Sequence, residues 1–491
     1  MHRIKESAER ARRCRHLNFL ISETFDLAEK HCEAALGTAH TPFVMVVKDN
    51  FAVRGVRMTC ASKMLREFVP PYTATSVQRL LQNGGCLLGK SNMDEFAMGS
   101  TSSTGCFGPV LHAMYATDNN NNNDADGDGG TAGGAGGVDD FRIAGGSSGG
   151  CAVAVATGVA DVAIGSDTGG SVRYPAALNG VYGFKPSYGR LSRHGLVPLN
   201  NALDTPSIFA RTAGQCRTYF EILRGHDPMD ATSLPDNVVA DKQPTKRAEA
   251  ALDDGTLTIG IPEFDHSHFV SADALRVWHA AIEQLERAVG ARTRAVRMPN
   301  WEAGIQCYAT LTDLDVASNM ARYDGIRFGH NDAIDDGTSF TEQITASRTT
   351  MLGQNVKRRI FAGNFFGLRQ NFERFVGQAT RVRRLIQRDF QRAFEQCDVL
   401  LTPCSRHSAP LLSEAVRRSR AEQHRMDDFF LIPANLCGVP AISVPFARCA
   451  EGRPLGVQLI GPYLADDFLL QVAALLVPLP TDDQTANSYT N

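Results

Sequence analysis

Two glycine-cushioned serines stand 24 residues apart. Ser147 lies in Ala144-Gly-Gly-Ser-Ser-Gly-Gly150, and Ser171 in Gly165-Ser-Asp-Thr-Gly-Gly-Ser-Val-Arg-Tyr-Pro175. Glycine lets a backbone approach a substrate closely, and a Gly-Gly-Ser turn points successive N–H groups into one concavity, which suits a developing oxyanion. Thr168, Gly169, Gly170 and Ser171 are the candidates for that role. A serine hydroxyl is a weak nucleophile until a neighbour takes its proton. Lys48 ends the apolar run Phe43-Val-Met-Val-Val47. A lysine there can act as base if burial or a nearby positive field lowers its pKa enough to leave it neutral. If Lys48 does not touch Ser171 directly, Ser147 can relay the proton, since a hydroxyl both donates and accepts. Together these residues suit acyl transfer through a serine without a histidine.

Two other motifs compete for the same stretch. Gly84-x4-Gly89-Lys90-Ser91 matches the phosphate-binding P-loop by letter. That loop needs a strand before its first glycine and a helix after its serine. Here a helix precedes Gly84, and the apolar pair Leu87-Leu88 reads as strand, so nucleotide binding is not expected from it. Gly146-Ser-Ser-Gly-Gly150 fits the Gly-x-Ser-x-Gly nucleophile elbow with Ser148 as nucleophile. That reading needs a downstream acid and histidine. His194, His266, His268, His279, His330, His407 and His424 are available, but none has a distinctive setting.

The elements that must position these residues read as alternating strands and helices. Strands are expected at Phe43–Val47, Cys86–Leu88, Val162–Ile164, Leu257–Ile261, Asp398–Pro403, Ala441–Pro445 and Val457–Ile460. Helices are expected at Thr75–Gln82, within Cys151–Ala160, after the cap Ser271 as far as Gly290, over Phe372–Phe394 and over Phe468–Leu476. The pattern predicts an α/β fold with a large mixed central sheet covered by helices on both faces. One large unit over residues 41–480 is expected, preceded by a helical segment 1–40 and followed by a tail 481–491. The Asn/Asp/Gly stretch 118–137 cannot bury a core and reads as a disordered surface insertion.

Composition narrows the class. Of 491 residues, 43% are hydrophobic, and the net charge of −3 does not suggest a nucleic-acid-binding protein. No apolar run is long enough to span a membrane. The twelve cysteines lack Cys-x-x-Cys spacing, so neither a disulfide framework nor a metal site is expected. The first fifteen residues carry Arg3, Lys5, Arg10, Arg12, Arg13 and Arg15. That start suits an organelle transit peptide, although Glu6 and Glu9 equally suit a solvated helix face.

The two serine loops and Val46-Val-Lys-Asp-Asn50 resemble the amidase signature family. Gly89-Lys-Ser-Asn-Met-Asp-Glu-Phe-Ala-Met-Gly-Ser100, Arg322-Tyr-Asp-Gly-Ile-Arg327, Val356-Lys-Arg-Arg-Ile360 and Ile432-Pro-Ala-Asn-Leu-Cys-Gly-Val-Pro440 narrow the match. They resemble the branch that forms the glutaminase subunits of tRNA-dependent amidotransferases. The resemblance implies a Ser–cis-Ser–Lys triad with Ser171 as nucleophile, Ser147 as cis-serine and Lys48 as base. It implies glutamine hydrolysis through an acyl-enzyme, in a glutaminyl-tRNA synthase of the glutamine-hydrolysing type. The ammonia would pass to a B-type partner subunit, possibly with a small C-type subunit beside it. That partner would use ATP and Mg to amidate glutamate charged on tRNA(Gln). No cofactor is implied for this chain itself, tRNA is expected to be held mainly by the partner, and the location implied is the mitochondrial matrix. Free glutamine carries a carboxylate that suits an arginine fork and an ammonium that suits an aspartate. By motif position these are Arg359, with Arg358 as the adjacent alternative, and Asp428, with Tyr308 as a third contact. A stand-alone amidase acting on another small amide is the alternative. The chain departs from the family pattern in a short segment before Lys48, in Ala144 where proline is usual, and in the 118–137 stretch.

Overall fold

The computed structural model describes residues 1–117, 141–242, 251–252, 254–263, 270–327, 329–331, 339–418 and 427–478. Its centre is one mixed sheet of eleven strands: β1 (Leu20–Glu23), β2 (Phe43–Lys48), β3 (Gly85–Ser91), β4 (Val162–Asp167), β5 (Tyr182–Lys185), β6 (Thr205–Ala210), β7 (Thr258–Pro262), β8 (Arg292–Val296), β9 (Val399–Pro403), β10 (Ala441–Arg448) and β11 (Pro454–Ile460). Their order is β1-β3-β2-β4-β6-β5-β10-β11-β9-β7-β8. β2 runs parallel to both β3 and β4, and β7 runs parallel to β8 and β9. The remaining pairs are antiparallel.

Alternation along the strands builds two cores. Met45, Val47, Leu87 and Ile164 face one layer of helices, and Val44, Val46, Cys86, Leu88 and Ala163 face the other. Because successive strand residues point to opposite faces, a strand buried on both sides is apolar throughout. The helix Gly149–Ala156 is buried along its length in the second layer. Ser271 caps the helix Ala272–Val289 through Ala274 N–H, and Trp278 is core, its indole donating to the Leu401 carbonyl at 3.2 Å. Gly84 closes a turn and Gly85–Ser91 is strand, so the P-loop spelling has no P-loop geometry.

Several expectations change. The segment 1–40 is not wholly helical: between the helices His2–Arg13 and Phe25–Leu36 it contributes the edge strand β1. Its basic start forms a helix whose Ile4, Ala8 and Ala11 pack into the core, with Arg3 paired to Asp161. Arg10, Arg12 and Arg13 sit in its last turn, where they complement the helix dipole. The single helix expected over Phe372–Phe394 is split into Arg369–Phe372, a π-helical turn Glu373–Gly377 and Gln378–Phe394. The stretch 118–137 and the tail 481–491 lie outside the described residues. Ahead of the first serine loop, Leu111 and Ile143 form an antiparallel bridge, and His112 N–H donates to the Arg142 carbonyl at 3.2 Å.

Candidate active site

The parallel register of β2 and β4 brings their carboxyl ends to one edge of the sheet, where the following loops converge. Lys48 ends β2, Ser166-Asp167 ends β4, and the second serine loop follows directly. Lys48 has no solvent exposure. Its Nζ donates to Ser147 Oγ at 2.8 Å and to Ser166 Oγ at 3.0 Å. Burial drives its pKa down to about 8, against the opposing pull of Cys151, Asp94, Asp167 and Asp204. A minority of this amine is therefore neutral near pH 7, and the neutral share grows as pH rises. Asn50 Nδ2 also donates to Ser166 Oγ, at 2.9 Å, so Ser166 is held from two sides.

The Gly146–Ser147 peptide bond is cis. A Cβ on Gly146 would lie 2.2 Å from Asp94 Oδ2 and 2.7 Å from Thr101 N, so no side chain fits there. Asp94 in turn accepts from the N–H groups of Ser102 and Ser103 at 2.8 and 3.1 Å and from the Thr104 hydroxyl at 2.9 Å, folding that loop against the first serine loop. Ser148 N–H donates to the Ser171 carbonyl at 3.2 Å and joins the two serine loops. Ser148 Oγ donates to the Ser166 carbonyl at 3.3 Å, a supporting contact and not the histidine pairing an elbow nucleophile needs.

The Ser171 loop is wound around Asp167. Its carboxylate accepts from Gly170 N–H at 2.9 Å, from Val172 N–H at 3.1 Å and from the Arg173 guanidinium at 2.9 and 3.1 Å. Asn435 Nδ2 adds a further bond at 2.9 Å. Burial alone would raise this carboxyl, but Arg173 outweighs it and holds Asp167 well below the usual carboxylate range. Among the expected oxyanion donors, Gly170 is corrected here. Its N–H is committed to Asp167, which leaves those of Thr168, Gly169 and Ser171 as the candidates. Gly170 adopts φ +127°, a left-handed region that favours glycine. The Thr168 hydroxyl is tied to Asp204 at 2.6 Å.

Ser171 and Gly169 open onto a cavity of about 240 Å³ that also contacts Tyr308, Arg358, Arg359 and Asp428. The three residues expected to hold substrate thus line the same cavity as Ser171, although they are far apart in sequence. Tyr308 lies against Gly169: a Cβ there would sit 2.9 Å from the tyrosine hydroxyl. Arg359 is buried and faces Asp313 at 3.6 Å, whereas Arg358 is exposed. Burial pushes Asp428 up to about 8, with Arg359 pulling it down. Ser100, Asn355 and Arg418 complete the polar wall.

A family model described as Amidase matches residues 6–138 and 136–470. The chain belongs to the amidase family. Its curated relatives include the A-type subunit of the mitochondrial glutamyl-tRNA(Gln) amidotransferase of Aedes aegypti, 41% identical over 94% of this chain and 90% of that one. The Rattus norvegicus protein of the same description is 42% identical over 87% and 79%. A crystal structure of the corresponding glutamyl-tRNA(Gln) amidotransferase subunit from Thermotoga maritima superposes with a TM-score of 0.72 at 29% identity, covering 97% of this chain and 93% of that one.

In this amidase, Ser166, Asp94 and Arg418 are site residues that sequence reasoning missed. Ser166 directly precedes the Asp167-Thr-Gly-Gly-Ser171 motif, and that adjacency was its one available signal. Arg418 lines the same cavity and donates at 3.3 Å to Asp427, next to Asp428.

Proposed function

We propose that this chain is the glutamine-hydrolysing subunit of a tRNA-dependent amidotransferase. The observation that carries the reading is the shared cavity: Ser171 opens onto the same space as Arg359 and Asp428. The two charges match the carboxylate and ammonium of a free amino acid, and a generic apolar amide needs neither. Relatives described as glutamyl-tRNA(Gln) amidotransferase subunits of the A type support the choice of glutamine.

Neutral Lys48 takes the Ser147 proton while Ser147 takes the Ser171 proton, and Ser171 Oγ adds to the side-chain amide carbon of glutamine. Backbone N–H groups of the Ser171 loop stabilise the oxyanion. As the C–N bond breaks, the proton returns through Ser147 to the leaving nitrogen, and ammonia departs from a Ser171 acyl ester. Water then hydrolyses the ester by the same relay and yields glutamate. The ammonia is used by a B-type partner, with a small C-type subunit, which spends ATP with Mg on glutamate charged to tRNA in the mitochondrial matrix.

The test measures glutamine hydrolysis and Gln-tRNA formation by this chain co-expressed with its partner subunits. Ser171→Ala should abolish the acyl adduct and both activities, while Ser148→Ala should retain a trapped adduct on Ser171. Robust turnover of unrelated amides with indifference to glutamine would overturn the assignment.

A further inference from the structure

The helix Gln354–Gly367 carries Arg358 and Arg359 into the cavity, yet its exposed side also presents two phenylalanines beside Gln354 and Asn364. Its inner face packs tightly on the helix Gly304–Asn319: Val356 is fully buried, and a Cβ on Gly363 would overlap the Asp313 carbonyl. On the other side Phe361 is 75% exposed and Phe365 49%. The apolar spacing continues past the helix end through Leu368, 49% exposed, and Phe372, 46%. Phe361 and Phe365 share one side of the helix at an interval of four, and the chain leaves helical geometry at Leu368 before the short helix that ends at Phe372. Soluble chains rarely leave so large an apolar stripe on a rigid, well-packed helix unless another surface covers it.

The surroundings say what kind of surface. Between Gln354 and Phe394 the chain has ten basic residues and two acidic ones, in a protein whose overall charge is −3. Arg369, Arg374, Arg384 and Arg388 are exposed there. An apolar centre with a basic rim complements a protein face with an apolar centre and a carboxylate rim. Nucleic acid would account for the arginines, but the exposed Phe361, Phe365, Leu368 and Phe372 suit a packed protein interface better.

We infer that the Phe361–Phe365–Leu368–Phe372 face docks an acidic-rimmed surface of the ammonia-receiving partner subunit. The inference rests on the amidotransferase reading above. Because the same helix forms the cavity wall, a subunit seated on this face stands next to the mouth through which ammonia leaves Ser171.

The test co-expresses the chain with its partner subunits and measures association by gel filtration and titration. Phe361→Glu/Phe365→Glu should weaken association at least tenfold while glutamine hydrolysis by the isolated chain stays within about twofold. Arg369→Glu/Arg384→Glu, at two exposed arginines, should weaken it several-fold at low salt and little at high salt. Unchanged association of both variants, with wild type binding normally, overturns the inference. So does a loss confined to tRNA binding or to self-association. Failure of wild type to bind any partner subunit overturns instead the amidotransferase reading.

Discussion

At the scale of single residues, the site depends on two groups that burial pushes toward neutrality from opposite sides. In the proposed mechanism Lys48 has to be uncharged to accept a proton, and Asp428 has to be charged to hold an ammonium. Both change state near pH 8. Each therefore gains its working form as pH rises, so kcat/KM for glutamine should climb through about pH 8 with a slope steeper than one ionisation. Asp428→Asn should reduce that to the slope of a single ionisation and raise KM roughly 10–100-fold, the loss of one charge-assisted contact of about 1.5–3 kcal/mol. A pH–rate profile of both proteins checks this. Lys90 tests a different point. It spells the last part of a P-loop, but its Nζ pairs with Asp49 at 2.9 Å, and neither side chain has any exposure. Lys90→Ala strands a buried carboxylate beside the catalytic strand and should cost about 3–5 kcal/mol of stability, read as a lowered melting temperature. Nucleotide should leave that of the wild-type chain unchanged. The closeness of Lys48 to the Ser147 loop was legible because glycine clusters and a lysine closing an apolar run are local signals. Ser166 and the loss of Gly170 as a donor were not legible, since both follow from side chains folding back on their own loop.

At the scale of elements, Glu95 joins two pieces of the cavity wall. Its carboxylate accepts from Gly353 N–H at 2.9 and 3.2 Å, at the start of the helix that carries Arg358 and Arg359. Ser62 Oγ donates to it at 2.5 Å. Burial raises Glu95 to about 7, against these bonds and the more distant Lys357 and Lys63. Glu95→Gln should leave kcat within about twofold and raise KM for glutamine several-fold, because the helix start loses a charged acceptor. Steady-state kinetics at pH 8 separate this from a general loss of fold. Element types were largely readable: seven expected strands and the Ser271 cap match the sheet and helix found. The other four strands, β1, β5, β6 and β8, lack an apolar run of the usual kind. β8 reads Arg-Thr-Arg-Ala-Val, with four of its five residues exposed at the sheet edge, and β6 opens on Thr-Pro. The π-helical turn at Glu373–Gly377 leaves the apolar period nearly intact, so periodicity alone reads through it.

At the scale of the whole molecule, the chain's own start is part of its core. Ile4, Ala8 and Ala11 are almost fully buried against the layer that holds the helix Gly149–Ala156, directly behind the Ser147 loop. Removing residues 1–13 should cost about 2–4 kcal/mol and lower the melting temperature by several degrees, with hydrolysis lost earlier on heating than in the full chain. Differential scanning calorimetry alongside residual-activity curves checks it. The buried face of this opening helix was not displayed by its letters, because burial of one helical face is decided by partners more than a hundred residues away.

The bridge between Leu111 and Ile143 has a practical corollary. The bridge holds residues 111 and 143 side by side whatever the number of residues that separates them in sequence, so the serine loop that begins at Ala144 starts from a fixed base. That makes the interval a natural grafting port. A reporter or affinity module spliced into it would ride on the enzyme without detuning the hydroxyl relay.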